Sequence, residues 1–310
     1  MGNDQIDGKE YAIGISCALS SMVMWGVLPI YWKLLYPIDS MLIMLYRLVE
    51  TCIIVFVVSL FIYGWKGIIE PLKRKGAIII FTLAGICISF NWGLYIFMVN
   101  KGYVIQTSIG YYIEPLMVCL FGVIFFHEKM NRYKSTAILF AIAGVIVMVF
   151  SYGQIPVMAL GLAIAFATYA AIKKKMKAPA LLALFYETVF LLPLVIPWII
   201  SYEMSGKGVI HTAEMSQIAW LSLAGLFTAI PLSLFGMAAN RISLISLGIT
   251  EYIAPSIALL LGIFLFKEAF DFFQLAGFTA IWIGLAIFTI GEIKERRRLA
   301  LSFGLEGDKH

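Results

Sequence analysis

The chain has 310 residues, 62% of them hydrophobic and 13% charged, with a net charge of +5 at neutral pH. Ordinary soluble domains are about 45–50% apolar and about 25% charged, so a cytosolic enzyme or binding module is excluded and an integral membrane protein is expected. The bases sit between apolar runs and form no face, which argues against nucleic acid and for a membrane topology signal.

A helix needs about 20 apolar residues to cross the hydrocarbon core. Ten segments qualify, at 11–31, 41–63, 77–97, 104–126, 135–151, 157–172, 181–201, 217–238, 244–266 and 272–292, the fifth and sixth looking short. The expected fold class is all-α integral membrane with ten transmembrane helices. No cleavable leader is expected, because the first apolar segment is long, follows a polar and partly acidic start and lacks a small-residue cleavage site. Cys17, Cys52, Cys87 and Cys119 each fall inside an apolar run without CxxC spacing. They are expected to be reduced packing residues, with no disulfide, metal or other cofactor.

Of the 23 Lys and Arg, the N-terminus, the loops after helices two, four, six and eight, and the C-terminal tail hold 18, whereas the other loops hold 4. Arg47 alone lies within a span. That imbalance predicts both termini in the cytoplasm, with Lys73-Arg74-Lys75, Lys173-Lys174-Lys175 and Arg296-Arg297-Arg298 as its anchors.

The stretch Asn100–Glu128 recurs 140 residues later as Asn240–Glu268 without a gap, with 10 of 29 positions identical. The identities include Tyr112/Tyr252, Pro115/Pro255, Gly122/Gly262 and Glu128/Glu268. At the same offset Leu83-Ala84-Gly85 returns as Leu223-Ala224-Gly225, and Gly144 returns as Gly284. Small residues four apart, Gly85, Ser89, Gly93 and Gly225, Ala229, Ser233, mark a close-packing face in both copies. The spacing predicts two five-helix repeats, 1–151 and 155–292, followed by a basic cytoplasmic tail, 293–310. An odd number of helices per copy inserts the second upside down, the arrangement of many secondary transporters.

Pro115 and Pro255 sit mid-helix at matched positions and are expected to kink their helices, freeing the carbonyls of Tyr111 and Glu251. Five ionisable residues, Arg47, Glu50, Glu114, Glu187 and Glu251, lie inside predicted helices. Each would cost about 2.5–3.5 kcal/mol facing lipid at a helix centre, so all should face the bundle interior as coupling or charge candidates. Arg47 and Glu50 are three apart and can pair on one helical face. Glu187 is the repeat partner of Arg47, and inversion keeps the two apart. Glu114 falls near the midplane, a candidate proton carrier or cation ligand. Trp25, Asn91, Trp92, Tyr95, Ser108, Tyr111, Tyr169 and Tyr252 lie at similar depth and form the candidate substrate-binding set, a few polar groups among aromatic walls. The three His and five Asp lie outside the spans, and HExxH, GxSxG and P-loop motifs are absent from the sequence, so no enzyme is expected.

These residues also carry a family resemblance. Trp25-Gly26 with Pro29, Tyr31 and Lys33, then Arg47, Asn91-Trp92, Ser108-Ile109-Gly110-Tyr111 with Pro115-Leu116, Glu128, Glu187-Thr188, Pro231-Leu232, Tyr252-Ile253 with Pro255, and Glu268 resemble the RarD group of EamA-type permeases in the drug/metabolite transporter superfamily. The resemblance spans nearly the whole chain. It implies two inverted five-helix EamA-type repeats, a multi-pass place in a bacterial inner membrane, and export of a small polar or amphipathic metabolite or drug by alternating access. The expected partners are a small-molecule substrate, the lipid bilayer and protons, with a homodimer as candidate assembly. A lipid-handling protein (a scramblase or intramembrane enzyme) and a passive channel are the alternatives. Related sequences often carry Asn and Gln where this chain has Glu114 and Glu251. Carboxylates there would favour a cationic or zwitterionic substrate, or add a titratable coupling site.

Overall fold

The computed structural model describes residues 8–101, 103–176, 178–265, 267 and 272–307. Glu268, singled out by the repeat, lies outside them. The helices are α1 (Gly8–Leu34), α2 (Ser40–Ile69), α3 (Ala77–Asn100), α4 (Val104–Phe126), α5 (Arg132–Tyr152), α6 (Val157–Met176), α7 (Ala180–Val189), α8 (Leu192–Met204), α9 (Val209–Thr212), α10 (Met215–Leu221), α11 (Ala224–Ala239), α12 (Leu244–Glu251), α13 (Ile253–Phe264) and α14 (Phe272–Gly307). Among the described residues nine apolar helical stretches are long enough to cross a membrane, α10–α11 and α12–α13 each counting as one. The pair α7–α8, bent by 53°, supplies the tenth.

Proline and capping chemistry account for two of the breaks and two of the starts, though not for the break at Ser222–Leu223 within the eighth span. Pro193 lacks an N–H and clashes with the carbonyl four residues back, which is Val189, where α7 stops. Pro255 acts likewise on Glu251, the last residue of α12. The seventh and ninth spans, expected as single helices, are therefore interrupted. Pro115 leaves α4 continuous, since proline's own φ is helical and only one hydrogen bond is lost. Asp39 caps α2 by accepting the amide of Met41 at 2.8 Å, and Asn131 caps α5 by accepting that of Lys134 at 2.9 Å. The fifth and sixth spans are not short: α5 and α6 have 21 and 20 residues because Arg132, Lys134 and Lys173 continue the helices. Phe61, Ile79, Leu139 and Phe150 point outward, an apolar belt that lipid must cover.

The inversion can be seen in one seam. A Cβ added to Gly144 would lie 2.6 Å from the carbonyl oxygen of Gly277, and one added to Gly284 would lie 2.8 Å from that of Ala137. Gly144 and Gly284 are repeat partners, as are Ala137 and Gly277. The contact between α5 and α14 is thus reciprocal, as at an interface around a twofold axis. Because partner numbers fall along α14 as they rise along α5, these two equivalent helices run antiparallel. Elsewhere Ser21 donates to the carbonyl of Pro231 at 2.8 Å, and Asn91 donates to that of Leu162 at 2.9 Å. Asn91 and Pro231 are repeat partners, and Ser21 maps one residue from Leu162. The hydroxyl of Tyr252 donates to the carbonyl of its own partner, Tyr112, at 2.9 Å.

Backbone contact of this kind leaves no room for a side chain. Gly144→Val should lower stability by about 1–3 kcal/mol, the cost of overpacking. Thermal unfolding in detergent reads it, and an unchanged midpoint would show that α5 and α14 do not meet as described.

Candidate functional site

Arg47 lies seven residues past Ser40, roughly 10 Å into α2 at 1.5 Å per residue. Its guanidinium carbon sits 3.9 Å from the ring centre of Trp92 on α3 and 5.4 Å from that of Trp32 on α1. Tyr95 and Tyr111 face each other with ring centres 5.5 Å apart, both within electrostatic range of the guanidinium. Four helices, α1 to α4, therefore converge on one cation. Trp92 and Tyr95 are half-buried, and Tyr111 remains 36% exposed although it touches groups on other helices.

Arg47 and Glu50 do not pair, although their spacing allows it. Glu50 Oε2 instead accepts the backbone N–H of Gly225 at 2.8 Å. Gly225 brings α11 so close that a Cβ there would lie 2.4 Å from that of Glu50, and the amide captures the carboxylate. Gly85, its repeat partner, packs in the same way against the carbonyl of Glu187. The small-residue ladder thus works as a contact surface at its first rung in both copies.

A second group lies deeper. Asn91 Nδ2 bridges the carbonyl of Leu162 and Glu114 Oε2, the latter at a long 3.5 Å. Glu251 is within electrostatic range of Glu114, and both its carboxyl oxygens are buried without a hydrogen-bond partner among the described residues. Buried polar atoms are normally satisfied, so this pair of carboxyls invites a proton, a cation or water. Ser108, partly buried on α4, lies six residues before Glu114.

Between α2, α3, α7 and α11 runs a crevice. Its lining includes Leu48 and Thr188, Thr51 and Leu191, Ile88 and Thr228, and Trp92 and Leu232. Each is a pair 140 residues apart, as a cavity on the axis between two repeats requires. Trp92 belongs to both the crevice and the Arg47 group.

The opposite end of the bundle is tied by charge. Glu128, past the end of α4 and about 25 Å from Tyr111 along it, accepts the N–H groups of Leu244 and Ile245 at 2.8 and 3.0 Å, where α12 begins. Lys174 Nζ lies 3.1 Å from the same carboxylate and donates to the carbonyl of Ile242. Gly122 makes this possible, since a Cβ there would lie 2.7 Å from Glu128 Oε2. Nearby, Lys173 pairs with Glu187 at 2.8 Å, with both side chains at most 2% exposed. Tyr169 donates to the other oxygen of Glu187 at 3.2 Å. Lys173 and Lys174 are therefore structural partners, and Lys175 is exposed.

Of the sequence-selected residues, the structure brings Trp92, Tyr95 and Tyr111 together around Arg47, and Asn91 beside Glu114. Trp25 is half-buried and packs with the cluster around Leu28 and Tyr31. Tyr169 and Tyr252 are almost wholly buried, one in the charged tie and one in the hydrogen bond between repeats. Sequence reasoning missed Trp32 and Lys173. The spacing of Tyr169 and Lys173, one helical turn apart, was the available sign that the lysine continues an inward face.

An antiparallel pair of five-span halves, meeting at a narrow, mainly apolar crevice on their shared axis, defines a helical membrane protein of the inverted-repeat class. The chain matches the EamA-like transporter family twice, over residues 12–150 and 155–290, and belongs to that family. It is of the RarD type within the drug/metabolite transporter superfamily. It is 39% identical over 290 residues to the uncharacterized transporter YojE of Bacillus subtilis, covering 92% of this chain and 96% of YojE. It is 34% identical to protein RarD of Streptomyces exfoliatus, covering 96% and 92%, and 31% identical to protein RarD of Escherichia coli, covering 94% and 99%. One solved crystal structure superposes with a TM-score of 0.68 over 89% of this chain and 97% of its own, at 13% identity. It agrees in fold.

Proposed function

We propose that the chain is a secondary permease that exports a small polar or amphipathic solute by alternating access. In this reading the repeats are 1–151 and 155–292, the segment 293–310 is a cytoplasmic tail, and both termini lie on the cytoplasmic side of a bacterial inner membrane. The substrate enters the axial crevice and is met by Trp92, Tyr95 and Tyr111, with Trp25, Asn91 and Ser108 nearby.

The observation that carries the reading is the crevice lined by repeat-related pairs. Two near-equivalent halves around one site can exchange conformations and open it to either side in turn. The charged tie at Glu128, Lys173, Lys174 and Glu187 would hold one side shut while the Arg47 side stays open. Saturable, trans-stimulated counterflow in proteoliposomes tests the proposal. Flux linear in solute concentration would favour a channel, and lipid scrambling without solute flux would favour a lipid-handling protein.

Glu114 and Glu251 are the coupling candidates, a buried carboxyl pair short of donors. With Glu114→Gln, the transport rate should lose its dependence on pH while counterflow at equal pH persists. A variant with the wild-type pH profile would remove Glu114 from the coupling step.

A further inference from the structure

Arg47 is a buried cation with no counter-charge among the described residues. It is 9% exposed, forms no ion pair among the described residues, and its Nε has no hydrogen-bond partner. The acid nearest in sequence on its own helix, Glu50, is taken by the Gly225 amide at 2.8 Å. Stacking on Trp92 and Trp32 offsets part of the cost of burying the ion but brings no opposite charge. Those rings lie within cation–π range of the guanidinium but offer its N–H groups no acceptor, and Nε is left without one. A carboxylate can grip such a group with two parallel hydrogen bonds.

The surroundings suit an anion with an apolar body. The hydroxyls of Tyr95 and Tyr111 are within electrostatic range of Arg47, and Tyr111 is 36% exposed. A cationic solute here would meet like charge, and a neutral one would leave the guanidinium unpaired. Glu114, which on sequence grounds pointed to a cationic or zwitterionic substrate, is turned to Asn91 in the deeper group.

We propose that this group recognises an organic carboxylate with a flat apolar body, Arg47 taking the carboxylate and Trp92, Tyr95 and Tyr111 the body. This names the substrate class of the proposed permease and rests on that reading.

Purified full-length protein in detergent, titrated calorimetrically with 2-naphthoate, 2-naphthamide and 2-naphthylmethylamine, tests it. The acid should bind at least about tenfold more tightly than the amide, as charge-assisted bidentate pairing implies, and the amine should bind weakest. Arg47→Gln should abolish the preference. Should that variant fail to fold, Tyr111→Phe, which keeps the ring and removes the hydroxyl, should weaken the acid more than the amide. Equal binding of acid and amide, tighter binding of the amine, no binding of any in the millimolar range, or an acid preference that survives Arg47→Gln would each overturn the assignment. Counterflow separates the two claims. Saturable solute exchange with no acid preference keeps the carrier and loses the anion site, whereas Arg47-dependent naphthoate binding without exchange does the reverse.

Discussion

Glu187→Ala is expected to destabilise the folded protein by about 3–5 kcal/mol, the cost of breaking a buried ion pair from one side. Lys173 and Glu187 lie 2.8 Å apart with both side chains out of contact with solvent. Gly236 leaves the space that the lysine stem occupies, a Cβ there coming within 3.0 Å of Lys173 Cε. Tyr169 completes the carboxylate's partners. Removing the acid strands an ammonium in an apolar core formed by α6, α7 and α11. The loss belongs to the stranded charge more than to the missing attraction, so Lys173→Met combined with Glu187→Leu should recover most of the stability. Equilibrium unfolding in mixed micelles reads both variants. A single variant within about 1 kcal/mol of wild type, or a double variant no better than the single, would contradict a dry, mutually dependent pair.

Glu128→Ala is expected to open the tied end of the bundle. The carboxylate holds two backbone amides of α12 and Lys174 of α6 at once. It also sits at a helix N-terminus, where a negative charge is favoured. Hydrogen bonds to charged groups contribute about 1.5–3 kcal/mol each. Losing them in the closed state alone would shift the open-to-closed ratio by at least about tenfold. Cys119 is a native reporter of that change. It is buried, and its thiol donates to the carbonyl of Ile245, one of the two residues the carboxylate holds. With the other three cysteines replaced, alkylation of Cys119 by a membrane-impermeant maleimide should accelerate about tenfold in Glu128→Ala, and less in Glu128→Gln, which keeps the shape. An unchanged rate in a folded variant would show that this tie does not control access.

Both predictions concern residues whose roles were only half visible in the sequence. Glu128 stood out because it recurs as Glu268, yet its target was not inferable, since backbone amides carry no sequence signal. Lys173 read as one member of a basic run. That it turns inward depends on Gly236 and Glu187, which other helices deliver to it. Arg47 and Glu50 show the same limit in reverse. Their spacing allows a pair, but the competing partner of Glu50 is an amide 175 positions away. The breaks at Val189 and Glu251 obeyed a local rule that Pro193 and Pro255 announce, whereas Pro115 obeys the same rule without ending α4.

By itself the sequence determined the number of spans, the duplication and its inversion. Apolar run length, helix count and a constant 140-residue offset are properties of the chain as written, and the bilayer leaves few other ways to bury it. Tertiary structure alone decided which ionisable group meets which partner, where the axial crevice lies, and that Arg47 is left without a counter-ion among the described residues. Those outcomes turn on contacts of about 3 Å between helices far apart in the chain, where one glycine can redirect a carboxylate from a neighbouring arginine to a distant amide.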